Sequence, residues 1–183
     1  MKDNKKKLPK IITVTGENNT GKTTLIKFVY DSLKQAGANI LFYEQIGAYF
    51  EDFKSVLVWN CKIIAIYSIG DEADEKEKAA WKYIKDGIDF AINYNADFLI
   101  NALSFPIPYN NYDKITDDAK KEKLKQKTKD EYKNILKQKL STDKYESINL
   151  EYITPGDYKP LQERHIKCRE ILGIIGNPIS SIF

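Results

Sequence analysis

The sequence predicts an α/β protein: a three-layer α/β/α sandwich built on a mostly parallel sheet of five strands. Short apolar runs rich in β-branched residues alternate with longer segments in which apolar residues recur at helical spacing. Two runs, 62–68 and 97–104, are apolar almost throughout, which is typical of strands buried on both faces of a parallel sheet. With 183 residues, we expect one domain over 1–183, in which 1–9 form a disordered tail.

The order of the elements follows from these patterns and from the turn residues between them. Gly37 closes the first helix, and two prolines in 105–112 indicate a loop. Alternation of apolar and polar residues in 147–153 predicts an edge or half-exposed strand. The expected elements are a strand at 10–15, a helix at 24–37, a strand at 38–44, a loop with a helix at 45–60, a strand at 62–68, a helix at 75–94, a strand at 97–104, a helix at 116–140, a strand at 147–153 and a last helix that stops near Gly173.

Residues 16–23 match G-x-x-x-x-G-K-[ST], the pattern of a phosphate-binding loop, between a strand and a helix. The first N–H groups of such a helix and its positive dipole end attract an anion, and glycines let the backbone approach it closely. Lys22 is expected to contact the β- and γ-phosphates, and Thr23 to bind Mg²⁺. The nucleotide-binding residues are therefore expected to be Gly16, Asn18, Asn19, Thr20, Gly21, Lys22, Thr23 and Thr24.

Two carboxylates are candidates for the chemistry beside this loop. Asp71 follows the buried strand at 62–68, where a second carboxylate that organises Mg²⁺ is expected, so we predict it as a metal-binding and catalytic residue together with Thr23 and Lys22. A solvated, helix-capping role is the alternative for Asp71. Glu44 ends the second strand, close to the loop in a parallel sheet, and is a candidate general base for a substrate hydroxyl. A surface position at the strand end is the alternative for Glu44.

Positive charge is concentrated in lysine, because Arg164 and Arg169 are the only two arginines. Arginine is the preferred bidentate ligand of phosphate, so a catalytic arginine would be one of these two or come from a partner. Surface ion pairs are the alternative for both. The lysine-rich helix at 116–131 could close over phosphates as a lid, but its interspersed acidic residues favour a solvated helix.

Charge and composition exclude several other classes. The net charge of +3 is too small to indicate a nucleic-acid or membrane partner. No apolar run of about 18 residues occurs, and the lysine-rich start lacks the apolar core of a secretory signal. Cys61 and Cys168 stand in no Cys-x-x-Cys pair, which fits reduced thiols in a cytoplasmic protein. The single histidine, His165, gives little support to a histidine-based metal cluster or triad.

The chain resembles the P-loop NTPases, specifically over 10–37 and architecturally over the remainder, and its size resembles their nucleoside and nucleotide kinase branch. The resemblance implies ATP with Mg²⁺, and a phosphate acceptor bound at 44–60, where Tyr49 and Phe50 would pack on it. The chain departs from that branch in two ways: no Asp-Arg or Glu-Arg pair follows the third strand, and no arginine-rich lid occurs. Because Asn-Lys-x-Asp is also absent, a GTPase of the usual type is not expected.

Two function classes follow from these observations. The first is a phosphotransferase that acts on a small molecule with ATP and Mg²⁺, similar to a nucleoside or nucleotide kinase. The second is a nucleotide-binding regulator or an ATPase activated by a partner, and a structural protein with an inactive loop is a third reading. An acceptor pocket beside Lys22 would favour the first class, and a large apolar surface patch would favour the second.

Overall fold

The computed structural model describes residues 7–17, 20–46, 52–69, 77–104, 115–142, 144–150 and 159–176. Six strands and four helices are present in these ranges. In chain order they are β1 (Lys10–Gly16), α1 (Lys22–Gln35), β2 (Asn39–Gln45), β3 (Phe53–Trp59), β4 (Lys62–Tyr67), α2 (Glu77–Asn93), β5 (Phe98–Ser104), α3 (Asp118–Leu140), β6 (Glu146–Leu150) and α4 (Lys159–Ile175).

The six strands form one mostly parallel sheet in the order β2-β3-β4-β5-β1-β6. The pairs β4–β5, β5–β1 and β1–β6 are parallel, whereas β2–β3 and β3–β4 are antiparallel. The α/β class and the mostly parallel sheet are thus confirmed, and β6 lies at an edge as its alternation predicted. The expected number of five strands is wrong.

The additional strand is β3, which occupies a segment that the sequence led us to expect as loop and helix. A two-residue turn at Asn60 and Cys61 joins β3 to β4, and both residues adopt a left-handed conformation, with φ of 46° and 58°. Consecutive left-handed residues suit a tight antiparallel hairpin. Phe53 and Trp59 face the core at 1% and 5% exposure, so their aromatic side chains belong to a buried strand.

Helices cover both faces of the sheet because side chains on each central strand alternate between two hydrophobic clusters. On β1, Ile12 and Val14 pack in one cluster with α1 and α4, whereas Ile11 packs in the other with α2 and α3. The last helix extends through Gly173 to Ile175, beyond its predicted end, and Cys168 and Leu172 fix it in the first cluster. No helix of the described residues is both long and apolar enough to cross a membrane.

A buried triangle of hydrogen bonds fixes α3 to the centre of the sheet. Thr13 Oγ1 donates to Asn101 Oδ1 at 3.0 Å, Asn101 Nδ2 donates to the Tyr132 hydroxyl at 3.1 Å, and that hydroxyl lies 2.8 Å from Thr13 Oγ1. All three side chains are at most 2% exposed. Since each buried polar group has a partner, burial of these groups is compatible with a stable core.

Candidate functional site

The candidate site lies where β1, β5 and β6 end together and α1 begins. Gly16, the last residue of β1, pairs in register with Ser104 of β5 and Leu150 of β6. The chain then turns into α1, whose first residue is Lys22. This is the carboxyl end of the parallel strands, where α/β proteins bind their ligands.

The two motif glycines occupy positions that other residues would distort. A Cβ on Gly16 would lie 2.5 Å from Thr20 Oγ1 and 2.9 Å from the carbonyl oxygen of Leu150. Gly21 has φ +84°, the left-handed conformation that favours glycine, and it forms the N-cap of α1. The close contacts at Gly16 and the left-handed conformation of Gly21 therefore explain why the motif has glycine at both positions.

The Glu17 carbonyl oxygen organises the turn between the two glycines. Lys22 Nζ donates to it at 2.8 Å and Thr20 Oγ1 donates to it at 2.9 Å. The Lys22 side chain folds back over the loop and is only 5% exposed. The ammonium group is thus held at the start of α1, beside the N–H groups of its first turn. Asn18 and Asn19 lie outside the described residues.

The Thr23 hydroxyl contacts a carboxylate that the sequence had not indicated. Thr23 Oγ1 donates to Asp52 Oδ1 at 3.1 Å, and Ser68 Oγ donates to the same oxygen at 3.2 Å. Ser68 and Phe53 fix this arrangement, because the Phe53 amide donates to Ser68 Oγ at 2.8 Å and the Ser68 amide donates to the Phe53 carbonyl at 3.0 Å. Asp52 is thereby held at the same edge of the sheet as the loop.

The β3–β4 hairpin would have revealed Asp52 if it had been recognised in the sequence. A two-residue turn at 60–61 pairs Lys54 with Tyr67. That register places Asp52 and Ser68 together at the carboxyl end of β4. The signal was the pair of apolar runs on either side of a two-residue gap. It was obscured because Asn60-Cys61 is not one of the usual turn pairs.

Of the two carboxylates that the sequence had indicated, only Glu44 is described. It lies at the end of β2, at the edge of the sheet, with three strands between β2 and β1. The expectation of parallel pairing is wrong, because β2 pairs only with β3 and does so antiparallel. That pairing sets Gln45 opposite Phe53, so Glu44 lies at the end of β2 that adjoins Asp52. The Glu44 carboxylate is half-exposed and forms an ion pair with Lys54 at 2.9 Å. Asp71, Tyr49 and Phe50 lie outside the described residues.

A polar cleft of about 530 Å³ opens directly beside the loop. Gly16 and Glu17 form one wall, β6 forms another, and the lysine-rich face of α3 forms the third. Lys125 of α3 reaches the loop and forms an ion pair with Glu17 at 3.4 Å. The lining side chains are those of Thr15, Glu17, Glu122, Lys125, Gln126, Lys129, Tyr145, Ser147, Asn149 and Leu150.

One of the two arginines lies against the loop. Arg164, on α4, places Nη2 2.7 Å from the position that a Cβ on Gly21 would occupy. Its neighbour His165 packs edge-on against Phe28 of α1, with ring centroids 5.3 Å apart, so this histidine is a packing residue. Arg169 is exposed on the same helix.

The pair Thr23 and Asp52 fits the ligands that Mg²⁺ takes in nucleotide sites. Mg²⁺ is commonly bound by one or two carboxylates or hydroxyls together with substrate phosphates and water, not by a cage of protein ligands. The part of the chain that the structure describes contains no group of three or more His, Cys, Asp or Glu side chains placed to hold a metal ion. Thr23 had been predicted as a ligand, whereas Asp52 is added by the fold.

No family model, curated protein or solved structure matches this chain.

Proposed function

We propose that this protein binds a nucleoside triphosphate with Mg²⁺ at 16–24 and transfers a phosphoryl group to a small polar acceptor. The observation that supports the proposal best is the contact between Thr23 and Asp52 at the start of α1, one residue from the buried Lys22. It joins a hydroxyl and a carboxylate next to an ammonium group, which is the set of groups that Mg-triphosphate requires. The strand–loop–helix arrangement also agrees with the P-loop fold that the sequence resembles.

Each residue of the loop has a defined task in this proposal. The N–H groups at the start of α1 bind phosphate oxygens, and the helix dipole favours their negative charge. Lys22 exchanges its bond to the Glu17 carbonyl for the β- and γ-phosphates. Thr23 and Asp52 would hold Mg²⁺, which would supply positive charge to offset the negative charge on the phosphates. Positioning and electrostatic stabilisation account for most of the catalysis in phosphoryl transfer.

The cleft beside Gly16 and Glu17 favours transfer to an acceptor. A volume of about 530 Å³ is in the usual range for small-molecule sites. Its lining includes both carboxylates and ammonium groups, so it suits a polar molecule that carries hydroxyl and charged groups. A regulator or a partner-activated ATPase would not require such a space next to the phosphates.

Titration calorimetry with Mg-ATP tests the binding step. Lys22→Ala should raise Kd about 100-fold, because it removes charge-assisted contacts that contribute about 1.5–3 kcal/mol each. Lys34→Ala is the matched control: it removes an exposed lysine from the other end of α1. Equal affinity of wild type and Lys22→Ala for Mg-ATP would contradict the proposal.

Turnover distinguishes the two function classes. ATP consumption is measured alone and with a panel of nucleosides and nucleotides. Stimulation by a panel member together with its phosphorylation supports the phosphotransferase. Hydrolysis that no acceptor changes, in a protein that binds Mg-ATP, would favour the ATPase instead.

A further inference from the structure

We propose that Arg164 is a phosphate-binding residue of this site and that its guanidinium group contacts the polyphosphate of the bound nucleotide. The inference rests on the proposed function, since it assigns one further ligand of the same nucleotide. The sequence left the roles of Arg164 and Arg169 open, and the fold now separates them.

Arg164 lies at the start of α1, where the motif ends. The guanidinium of Arg164 contacts Gly21, with Nη2 2.7 Å and both Cζ and Nε 3.3 Å from where a Cβ would be. Any residue with a Cβ at position 21 would collide with the guanidinium in its present position. The second motif glycine therefore has two roles: it adopts a left-handed conformation and it admits a guanidinium to the start of α1.

Packing against α1 fixes α4, the helix that carries Arg164. Contacts between the two helices occur in the same order along both: Arg164 at Gly21, His165 at Phe28 and Cys168 at Ser32, where Sγ and Oγ are 3.7 Å apart. Cys168, Ile171 and Leu172 are fully buried in the cluster that contains α1. Packing therefore fixes the backbone from which Arg164 extends, so binding of a phosphate has to order only the side chain.

Positive charge accumulates at the start of α1. Two cations, Lys22 and Arg164, stand at the positive end of the α1 dipole, and the first turn of α1 contains no acidic residue. Within the described ranges, no carboxylate forms an ion pair with Arg164. Cations at a helix N-terminus are unfavourable in isolation. An anion with several oxygens, such as a polyphosphate, would offset that repulsion and could accept from the guanidinium in a bidentate manner.

Arg169 provides a matched control on the same helix. It is exposed and lies five residues further along α4, which is about 140° around the helix axis from Arg164. A substitution at Arg169 changes net charge by the same amount and leaves the contact between Arg164 and Gly21 in place. Any effect of overall charge on nucleotide affinity should therefore appear equally in Arg164→Ala and Arg169→Ala.

The experiment measures Kd for Mg-ATP and for inorganic tripolyphosphate in wild type, Arg164→Ala, Arg164→Lys and Arg169→Ala. We expect Arg164→Ala to weaken binding of both ligands about tenfold or more, Arg164→Lys to weaken it less, and Arg169→Ala to leave it within twofold. Tripolyphosphate isolates the phosphate contacts because it has no base or ribose.

Thermal unfolding separates a binding role from a structural one. Without ligand, Arg164→Ala should have the Tm of the wild type or a higher one, since a cation is removed from a helix N-terminus. With Mg-ATP, its ligand-induced rise in Tm should be smaller than that of wild type. A lower Tm without ligand combined with unchanged Kd would overturn the inference.

Failure of the inference and failure of the proposed function are distinguishable. If wild type binds neither Mg-ATP nor tripolyphosphate, the proposed function is wrong and the inference falls with it. If wild type binds both and Arg164→Ala binds them as tightly as Arg169→Ala does, only the role of Arg164 is wrong.

Discussion

The hydroxyl of Thr23 donates a hydrogen bond to Oδ1 of Asp52 at 3.1 Å, across 29 positions of the chain. Asp52 precedes β3, so the contact joins the phosphate-binding motif to the β3–β4 hairpin. Ser68, at the end of β4, donates to the same oxygen and fixes the carboxylate. The proposed metal site therefore depends on three elements that are separate in sequence.

Asp52→Asn should weaken Mg-ATP binding about tenfold and leave metal-free ATP binding within twofold. The amide keeps the size of the side chain but removes the charge that favours a divalent cation. Calorimetry with and without Mg²⁺ measures both quantities. Glu146→Gln is the control, because Glu146 is an exposed carboxylate at the amino end of β6, away from the loop, and its substitution should change neither quantity. If Glu44→Gln lowered turnover about 100-fold, Glu44 would have the catalytic role that the sequence indicated.

Gly16→Ala and Gly173→Ala should change stability in opposite directions. A Cβ on Gly16 would approach the Leu150 carbonyl to 2.9 Å, and this backbone atom cannot move without disturbing β6, so we expect a loss of about 1–3 kcal/mol. Gly173 lies inside α4 with no described atom within 4 Å of its Cβ position, so alanine should stabilise by about 0.5–1 kcal/mol. Urea unfolding measures both changes, and a stabilising Gly16→Ala would contradict the packing described for the loop.

Tyr132→Phe should destabilise the protein less at high pH than at neutral pH. Burial raises the pKa of Tyr132 to about 12, although hydrogen bonds to Thr13 and Asn101 oppose the rise, and the ordinary value is 10.0. Because the folded-state pKa is the higher one, the wild type has its full stability below pH 10 and loses it as pH rises toward 12. Phenylalanine does not titrate, so the variant lacks that loss.

At pH 8 we expect Tyr132→Phe to lower the free energy of unfolding by about 1–3 kcal/mol, since Asn101 Nδ2 loses its acceptor. The difference from wild type should shrink by at most about 1.4 kcal/mol per pH unit above pH 10. Denaturant unfolding at pH 8, 10 and 11 measures it. A difference that stays constant across this range would show that Tyr132 titrates normally in the folded protein.

The ion pair between Glu17 and Lys125 should contribute little to stability. Both side chains are about one-third or more exposed, at 44% and 33%, and exposed ion pairs contribute less than about 1 kcal/mol. A double-mutant cycle of Glu17→Gln and Lys125→Ala measures the coupling energy. A coupling well above about 1 kcal/mol would mean that this pair holds α3 to the loop, which would favour the lid that the sequence left open.

Local patterns predicted most of the fold. The motif with its flanking strand and helix, and the continuous apolar runs of β4 and β5, lie where the sequence placed them, because each pattern is specified within a few residues. The segment 45–60 was misassigned, since an apolar run of seven residues does not by itself distinguish a strand from a helix.

The sequence analysis did not identify the residues that complete the site. Asp52 reaches Thr23 only through the register of the β3–β4 hairpin, and Arg164 reaches Gly21 only through the rotation of α4 against α1. Both contacts depend on how distant elements pack, and neither residue stands in a recognisable spacing with the motif. The sequence did indicate that an arginine could act at the phosphates. The choice between Arg164 and Arg169, however, depends on the fold.

The position of β1 in the sheet also determines when the site can form during synthesis. Its hydrogen-bonded neighbours are β5 and β6, which lie far downstream, and Arg164 is further downstream still. A nascent chain that has emerged only as far as β4 therefore has the complete glycine-rich motif but no partner strand for β1. Since pairing between distant segments must overcome a large loop-closure entropy, the loop should acquire its shape late in folding. Ribosome-bound chains should accordingly gain affinity for nucleotide only after β5 and β6 have left the exit tunnel, with a further gain of about tenfold once α4 and Arg164 follow.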